Sequence, residues 1–112
     1  MAATMVEQRY QAALDAVAKC RESCEVCHYN CCLPAGRTDC GRMCVDCAAI
    51  CTLLGTLLAR GSALAPKVAA LCAEVCDACA ELCEQNDADY CRACAQACRE
   101  CARQCRAIAE GV

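Results

Sequence analysis

The sequence predicts an all-α protein: an antiparallel, up-down-up-down four-helix bundle with a cysteine-lined core. Three observations carry this expectation. Eighteen cysteines recur at helical spacing in four separate runs. The links between the runs are short and marked by Pro, Gly, Asn or Asp. Eighteen Cys and 24 Ala outnumber the 18 Leu, Ile and Val, and there is no Phe or Trp, so the core must be built mostly from small side chains.

The first run is Cys20, Cys24, Cys27 and Cys31, spaced four, three and four. Cys40, Cys44, Cys47 and Cys51 repeat that spacing, as do Cys72, Cys76, Cys79 and Cys83. The fourth run, Cys91, Cys94, Cys98, Cys101 and Cys105, alternates three and four. Such alternation places every member on one seam of a helix. Four repeats of one unit mean four helices. Cys32 alone falls out of phase.

The seams continue past the cysteines. The rhythm reaches back from Cys20 through Val17, Ala13 and Tyr10 to Val6, and forward from Cys51 to Leu54 and Leu58. From Cys105 it runs on to Ile108 and Val112. Ala, Leu, Glu, Gln and Arg fill much of the remaining surface, and all are good helix formers.

Residues 33–37, Leu-Pro-Ala-Gly-Arg, read as the break between the first two helices. Gly61 to Ala65, with Pro66 in the next first turn, separates the second and third. Gln85-Asn86-Asp87 separates the third and fourth. Asp39, Asp87 and Asp89 read as helix caps. Short links favour antiparallel neighbours.

Antiparallel pairing sets the levels. The first two helices match Cys31 with Cys40, Cys27 with Cys44, Cys24 with Cys47, and Cys20 with Cys51. The second and third match Cys40 with Cys83, Cys44 with Cys79, Cys47 with Cys76, and Cys51 with Cys72. Cys91, Cys94, Cys98 and Cys101 supply the same four levels from the fourth helix. Below lie Val17, Leu54, Ala69 and Cys105, then Ala13 or Leu14, Leu58, Ala65 and Ile108. One end is thiol-lined and the other apolar, with the loops near residues 33–38 and 85–90 over the thiol end.

Length, charge and segment character exclude several classes. One domain spanning residues 1–112 is expected. A net charge of −3 with 59% apolar residues excludes an intrinsically disordered chain and a general nucleic-acid binder. No run approaches the ~18 consecutive apolar residues of a membrane span, so no membrane partner is expected. Glu7 and Arg9 interrupt the N-terminal stretch, which lacks a secretory pattern. The expected location is the cytoplasm, where thiols stay reduced.

The thiols then need a chemistry. A buried Cys is a small hydrophobe, but that explains one or two, not 17 in register. Disulfides within a seam are poor candidates, because neighbours on a helix have Cβ atoms ~5–6 Å apart and a disulfide needs ~3.8 Å. A metal held linearly by two thiolates spans about 4.6 Å between sulfurs, which residues i and i+4 can reach. Thiolates at low coordination number suit the soft cation Cu(I). With each thiolate shared between two Cu(I) ions the core is neutral. Four-thiolate Zn²⁺ layers would put roughly −8 into a core whose seams carry no Lys or Arg.

Four cysteine-lined helices with repeated C-x-x-x-C resemble the copper storage proteins, in particular their cytosolic branch, over residues 6 to 112. The resemblance implies a bundle that stores many Cu(I) ions, roughly one per cysteine, often as a homotetramer, loaded by a copper donor or chaperone. The family's thiolate ligands carry over to the 17 seam cysteines, and Cys32 is kept in the candidate set although it departs from the rhythm. His28 and Met43 are candidate entry ligands, as His and Met at the bundle mouth are in the resembled family. No enzyme is expected, since no Cys–His–acid set has distinguishable roles and thiols in apolar surroundings react slowly. The alternatives are a zinc or mixed-metal sink of metallothionein type and a thiol redox scavenger.

Overall fold

Each cysteine run folds as a helix, because alternate three- and four-residue steps give a buried face only on an α-helical backbone. The computed structural model describes residues 6–111. Its elements are α1 (Gln8–Cys27), a π-helical turn (His28–Cys32), a single turn α2 (Leu33–Ala35), α3 (Thr38–Arg60), α4 (Ala65–Glu84) and α5 (Asp89–Ala109). The four long helices pack α1 on α3, α3 on α4, α4 on α5 and α5 back on α1, with no strand among the described residues. Val112, expected to extend the last seam, lies outside the described residues.

The first break is narrower than the sequence suggests. Leu33-Pro34-Ala35 is helical, and the chain reverses only at Gly36, whose φ of 70° is the left-handed conformation that glycine adopts freely. Pro34 is tolerated because the turn before it is wide. A helical proline removes one backbone donor and crowds the carbonyl four residues back. In the π turn the Leu33 N–H instead donates to the His28 carbonyl, five residues back, and the Asn30 side chain donates to the Val26 carbonyl at 3.1 Å. π turns commonly sit at functional positions.

The remaining boundaries agree closely with the sequence reading. Pro66 occupies the first turn of α4. The caps do not agree with it. The N-cap positions of α3 and α5 are Arg37 and Ala88, and neither helix has a side-chain cap. Asp39 and Asp89 lie in first turns, where a negative charge complements the helix dipole. Asp87 and Asp89 both pair with Arg92.

The apolar end forms as expected. Tyr10, Ala13, Val17, Leu54, Leu57, Leu58, Ala65, Ala69 and Ile108 are buried, and Ala13 rather than Leu14 takes the inward position. Leu14 is half-buried at the edge of the core. Small residues flank the thiol seams: Ala73, Ala80, Ala95 and Ala102 are buried beside the cysteines of α4 and α5, which make the most extensive helix pair. That pair is also bridged by Arg99 to Asp77 (3.1 Å) and Glu84 (2.8 Å), and by Arg106 to Asp77. These ion pairs are largely screened by solvent, so side-chain burial does most to fix the bundle.

α3 is long and apolar enough to cross a membrane, with a mean hydropathy of 1.6 in its richest window. Its apolar seam, from Cys40 to Leu58, is instead buried in the bundle.

Candidate metal centre

Seventeen of the 18 cysteines are buried, and all 18 are free thiols. Antiparallel α3 and α4 bring their sulfurs together level by level. Cys40 meets Cys83 at 3.5 Å, Cys44 meets Cys79 at 3.8 Å, Cys47 meets Cys76 at 3.7 Å and Cys51 meets Cys72 at 3.9 Å. All four are the pairs the sequence register predicts. α5 closes the layers against α1: Cys24 lies 3.7 Å from Cys94, and Cys20 lies 3.7 Å from Cys98. Along single helices, Cys72 and Cys76 are 3.8 Å apart, Cys94 and Cys98 4.0 Å, and Cys101 and Cys105 3.8 Å.

The layers are not separate boxes. Cys20, Cys24, Cys47 and Cys98 have sulfurs all within 4.8 Å of one another, and so do Cys20, Cys51, Cys76 and Cys101. The same holds for Cys24, Cys79, Cys94 and Cys98, and for Cys27, Cys40, Cys44 and Cys83. Cys20, Cys24 and Cys98 each belong to two of these sets. The core is a continuous column of sulfur in which one thiolate can serve two metals.

α1 sits a step off the expected register, with Cys20 3.7 Å from Cys47 and from Cys98 and Cys24 3.7 Å from Cys94, and one expected pair is displaced outright. The register places Cys31 opposite Cys40, but Cys32 takes that position in a set with Cys27, Cys40 and Cys91. The π turn is the reason. One extra residue in the turn shifts the phase of the helix, so the buried seam steps from Cys27 to Cys32, and their sulfurs lie 3.7 Å apart. Cys31 moves to the rim, half-buried, 3.8 Å from Cys91. The sequence signal for this is the Cys31-Cys32 doublet two residues before Pro34.

A second departure is electrostatic. The seams carry no Lys or Arg, yet the loop residue Arg37 turns its guanidinium onto the thiol end. Its Nη1 donates to Cys31 Sγ at 3.0 Å and to Cys91 Sγ at 3.6 Å. Desolvation opposes the Arg37 charge, but the Cys31 and Cys91 sulfurs hold the guanidinium above its ordinary range. Hydropathy periodicity could not find this residue, because it lies in the loop and not on a seam.

Protonation varies along the column. Burial pushes the Cys32 and Cys91 thiols up, Cys91 to about 12. Cys27 is lowered to about 7, chiefly by Cys44, and Cys79 to about 6, chiefly by Cys24. Each is stabilised as a thiolate by neighbouring S–H groups. No buried side-chain nitrogen or oxygen lacks a partner among the described residues, and the one oxygen-bearing side chain in the core, Tyr10, lies at the apolar end and not among the thiols. The interior therefore offers sulfur ligands.

His28 and Met43 separate. His28 is half-buried and lines an open cleft of about 420 Å³ with Cys32, Arg37, Arg42 and Asp46. α3 approaches it closely at Gly41, where a Cβ would sit 3.3 Å from the imidazole and 3.4 Å from Cys32 Cβ. Met43 is half-buried against the core and does not line this cleft.

Residues 6–110 match the family model described as copper storage protein. The chain belongs to the copper storage protein family. It is similar to the solved structure of the Cu(I)-bound copper storage protein BsCsp3, at 36% identity and a TM-score of 0.87, covering 91% of this chain and 99% of that one. Apo-Csp3 from Bacillus subtilis is also 36% identical, with a TM-score of 0.84, covering 89% and 98%. The protein Nmul_A1745 from Nitrosospira multiformis is 40% identical, with a TM-score of 0.87 over 94% and 98% of the two chains. No curated protein sequence matches. As a member of this family, the chain has the four-helix, cysteine-cored fold that its sequence predicts.

Proposed function

We propose that this protein stores Cu(I), holding many ions on the thiolates of its 18 cysteines and so buffering copper. The observation that carries the reading is the overlap of four-sulfur sets, each with all sulfurs within 4.8 Å. Cu(I) bound by two thiolates needs sulfurs about 4.6 Å apart, and shared thiolates keep the charge low. The Cu(I) complex of the similar BsCsp3 supports the same reading. A zinc sink fits less well, because separate four-thiolate sites would not share sulfurs and would bury excess negative charge. A redox scavenger fits less well, because 17 of the thiols are closed to solvent.

The thiol end is the entrance, since the opposite end is closed by Tyr10, Leu54, Leu58 and Ile108. His28, in the cleft beside Cys32, is the entry ligand the geometry favours over Met43. The protein works without enzymatic chemistry, in the reducing cytoplasm, receiving copper from a donor or chaperone. Exposed Tyr29, Leu33, Leu53, Leu64 and Leu71 leave apolar surface for assembly. The homotetramer implied by the family resemblance is testable by sedimentation.

Anaerobic titration with Cu(I), alongside thiol counting, tests the storage reading. A plateau near about 17–19 ions per chain is expected from shared two-coordinate thiolates. A plateau below about 10 would mean isolated tetrahedral sites and would end it.

A further inference from the structure

We infer that Cys31, Cys91 and Arg37 form a transfer site at the rim, where arriving Cu(I) is first taken as an anionic bis-thiolate complex held by the Arg37 guanidinium. The inference rests on the storage reading and adds to it the site and charge of the first step.

Cys31 is half-buried, whereas the other 17 cysteines are buried. The π turn puts it there by giving its seam position to Cys32. Ligand exchange needs a thiol that an incoming complex can reach, and Cys31 is the one that qualifies. Its neighbour Cys91, 3.8 Å away, is already buried and close to Cys27, at 3.8 Å. A linear Cu(I) between Cys31 and Cys91 requires an opening to about 4.6 Å, within reach of a half-buried side chain at a rim. Cys91 also shares a set with Cys27, Cys32 and Cys40, so copper held there is next to the column.

The charge balance explains the arginine. Deeper in the core, thiolates shared between ions keep the charge near zero. The first ion has no second metal to share with, so two thiolates and one Cu(I) leave a net charge of −1. In the step itself, the donor's bonds to copper break, four Cu–N bonds in a bis-bicinchoninate complex, and two Cu–S bonds form, so copper passes to two-coordination. The two thiol protons leave to the departing ligands or to buffer, and copper stays Cu(I). Among the described residues, Arg37 is the cation hydrogen-bonded to a cysteine sulfur, and it contacts both sulfurs of this pair. Arginine suits the task, because its charge is permanent and its planar donors can face two sulfurs together. The same charge draws in anionic copper complexes. Arg37 is a positioning residue: it acts through the two sulfurs and does not ligate the metal.

The test is anaerobic stopped-flow loading of the full chain with the anionic Cu(I)–bicinchoninate complex, at about one copper per chain. Wild type, Arg37→Gln, Arg37→Lys, Cys31→Ser and, as a distant control, Arg103→Gln are compared, each checked for native helical signal. Arg37→Gln and Cys31→Ser should slow initial transfer about threefold to tenfold, as loss of a steering rim charge or of the first acceptor does. Arg37→Lys should recover most of the rate, and Arg103→Gln should match wild type. Raising salt should slow wild type and Arg37→Lys but leave Arg37→Gln nearly unchanged. Wild-type rates in Arg37→Gln, or an undiminished salt effect in that variant, would overturn the transfer site. Equal slowing by Lys and Gln would reduce Arg37 to a loop-shaping residue and overturn it as well. Final capacity is read in the same samples: a low plateau in wild type would count against storage itself, whatever the rates.

Discussion

The two ends of the bundle share their helices and their three-four rhythm but differ in what occupies it. At one end the rhythm is filled by Tyr10, Val17, Leu54, Leu58 and Ile108, at the other by sulfur. Leu and Ile remove large apolar areas from water, at ~25 cal/mol per Å². Cys buries less and leaves a row of ligand atoms 3.5–4.0 Å apart. The apolar end therefore holds the helices together without help, and the thiol end exchanges packing energy for binding capacity. A metal store needs both: a fold that survives empty and a cavity that metal completes.

The contrast is tested most directly by weakening each end in turn. Leu58→Ala, at a fully buried site, should cost the apo protein about 2–5 kcal/mol. Cys76→Ala, equally buried, should cost well under half of that, since only a sulfur is removed. Anaerobic urea unfolding monitored by circular dichroism reads both. Equal losses would mean that the two ends contribute alike.

Copper should reverse the asymmetry. Ligation favours the folded chain over the unfolded one and links helices across the core. Loading should raise the unfolding temperature and slow amide exchange most around residues 24–47 and 76–98, with less change near 6–14 and 54–65. Uniform slowing along all four helices would remove the distinction between the ends.

Alkali should act on the thiol end. Burial raises the Cys91 thiol to about 12. A raised folded-state value means that the folded chain holds this proton more firmly than the unfolded chain. The resulting stabilisation is fully present below the unfolded thiol value of about 8.5 and is lost as pH rises through about 12. Cys27 and Cys79, lowered to about 7 and about 6, act in the opposite sense, and their contribution is lost as pH falls through those values. The Cys91 part is isolated by difference: between about pH 8 and about pH 11 the apo protein should lose more stability than its Cys91→Ala variant. Parallel pH curves for the two would contradict the assignment.

The smallest expected effect separates the two entry candidates. His28→Ala should slow copper loading by a few-fold, and Met43→Ala should change it less, because only His28 lines the cleft beside Cys32. Capacity should hold in both. A larger effect from Met43→Ala would move the entrance to the other side of α3.

Fold class, helix pairing and the α3–α4 sulfur levels were legible in the residue order. Regular spacing is enough for that: a seam with a three-four rhythm can be buried in only one way on a helix, and short links allow only antiparallel neighbours. The α3–α4 contacts from Cys40–Cys83 to Cys51–Cys72 were readable for this reason. The mouth, by contrast, took shape only in the folded chain. A doublet such as Cys31-Cys32 offers two phases, and the choice fell to Cys32 because Pro34 is accommodated by a wide turn ahead of it. Arg37 was invisible to periodicity because loop residues have no period, and only folding brings its guanidinium onto two sulfurs from different helical elements. Spacing records which face of a regular element is buried. It carries no information on how an irregular turn redirects the side chains beyond it, or on which loop charge lands over the opening.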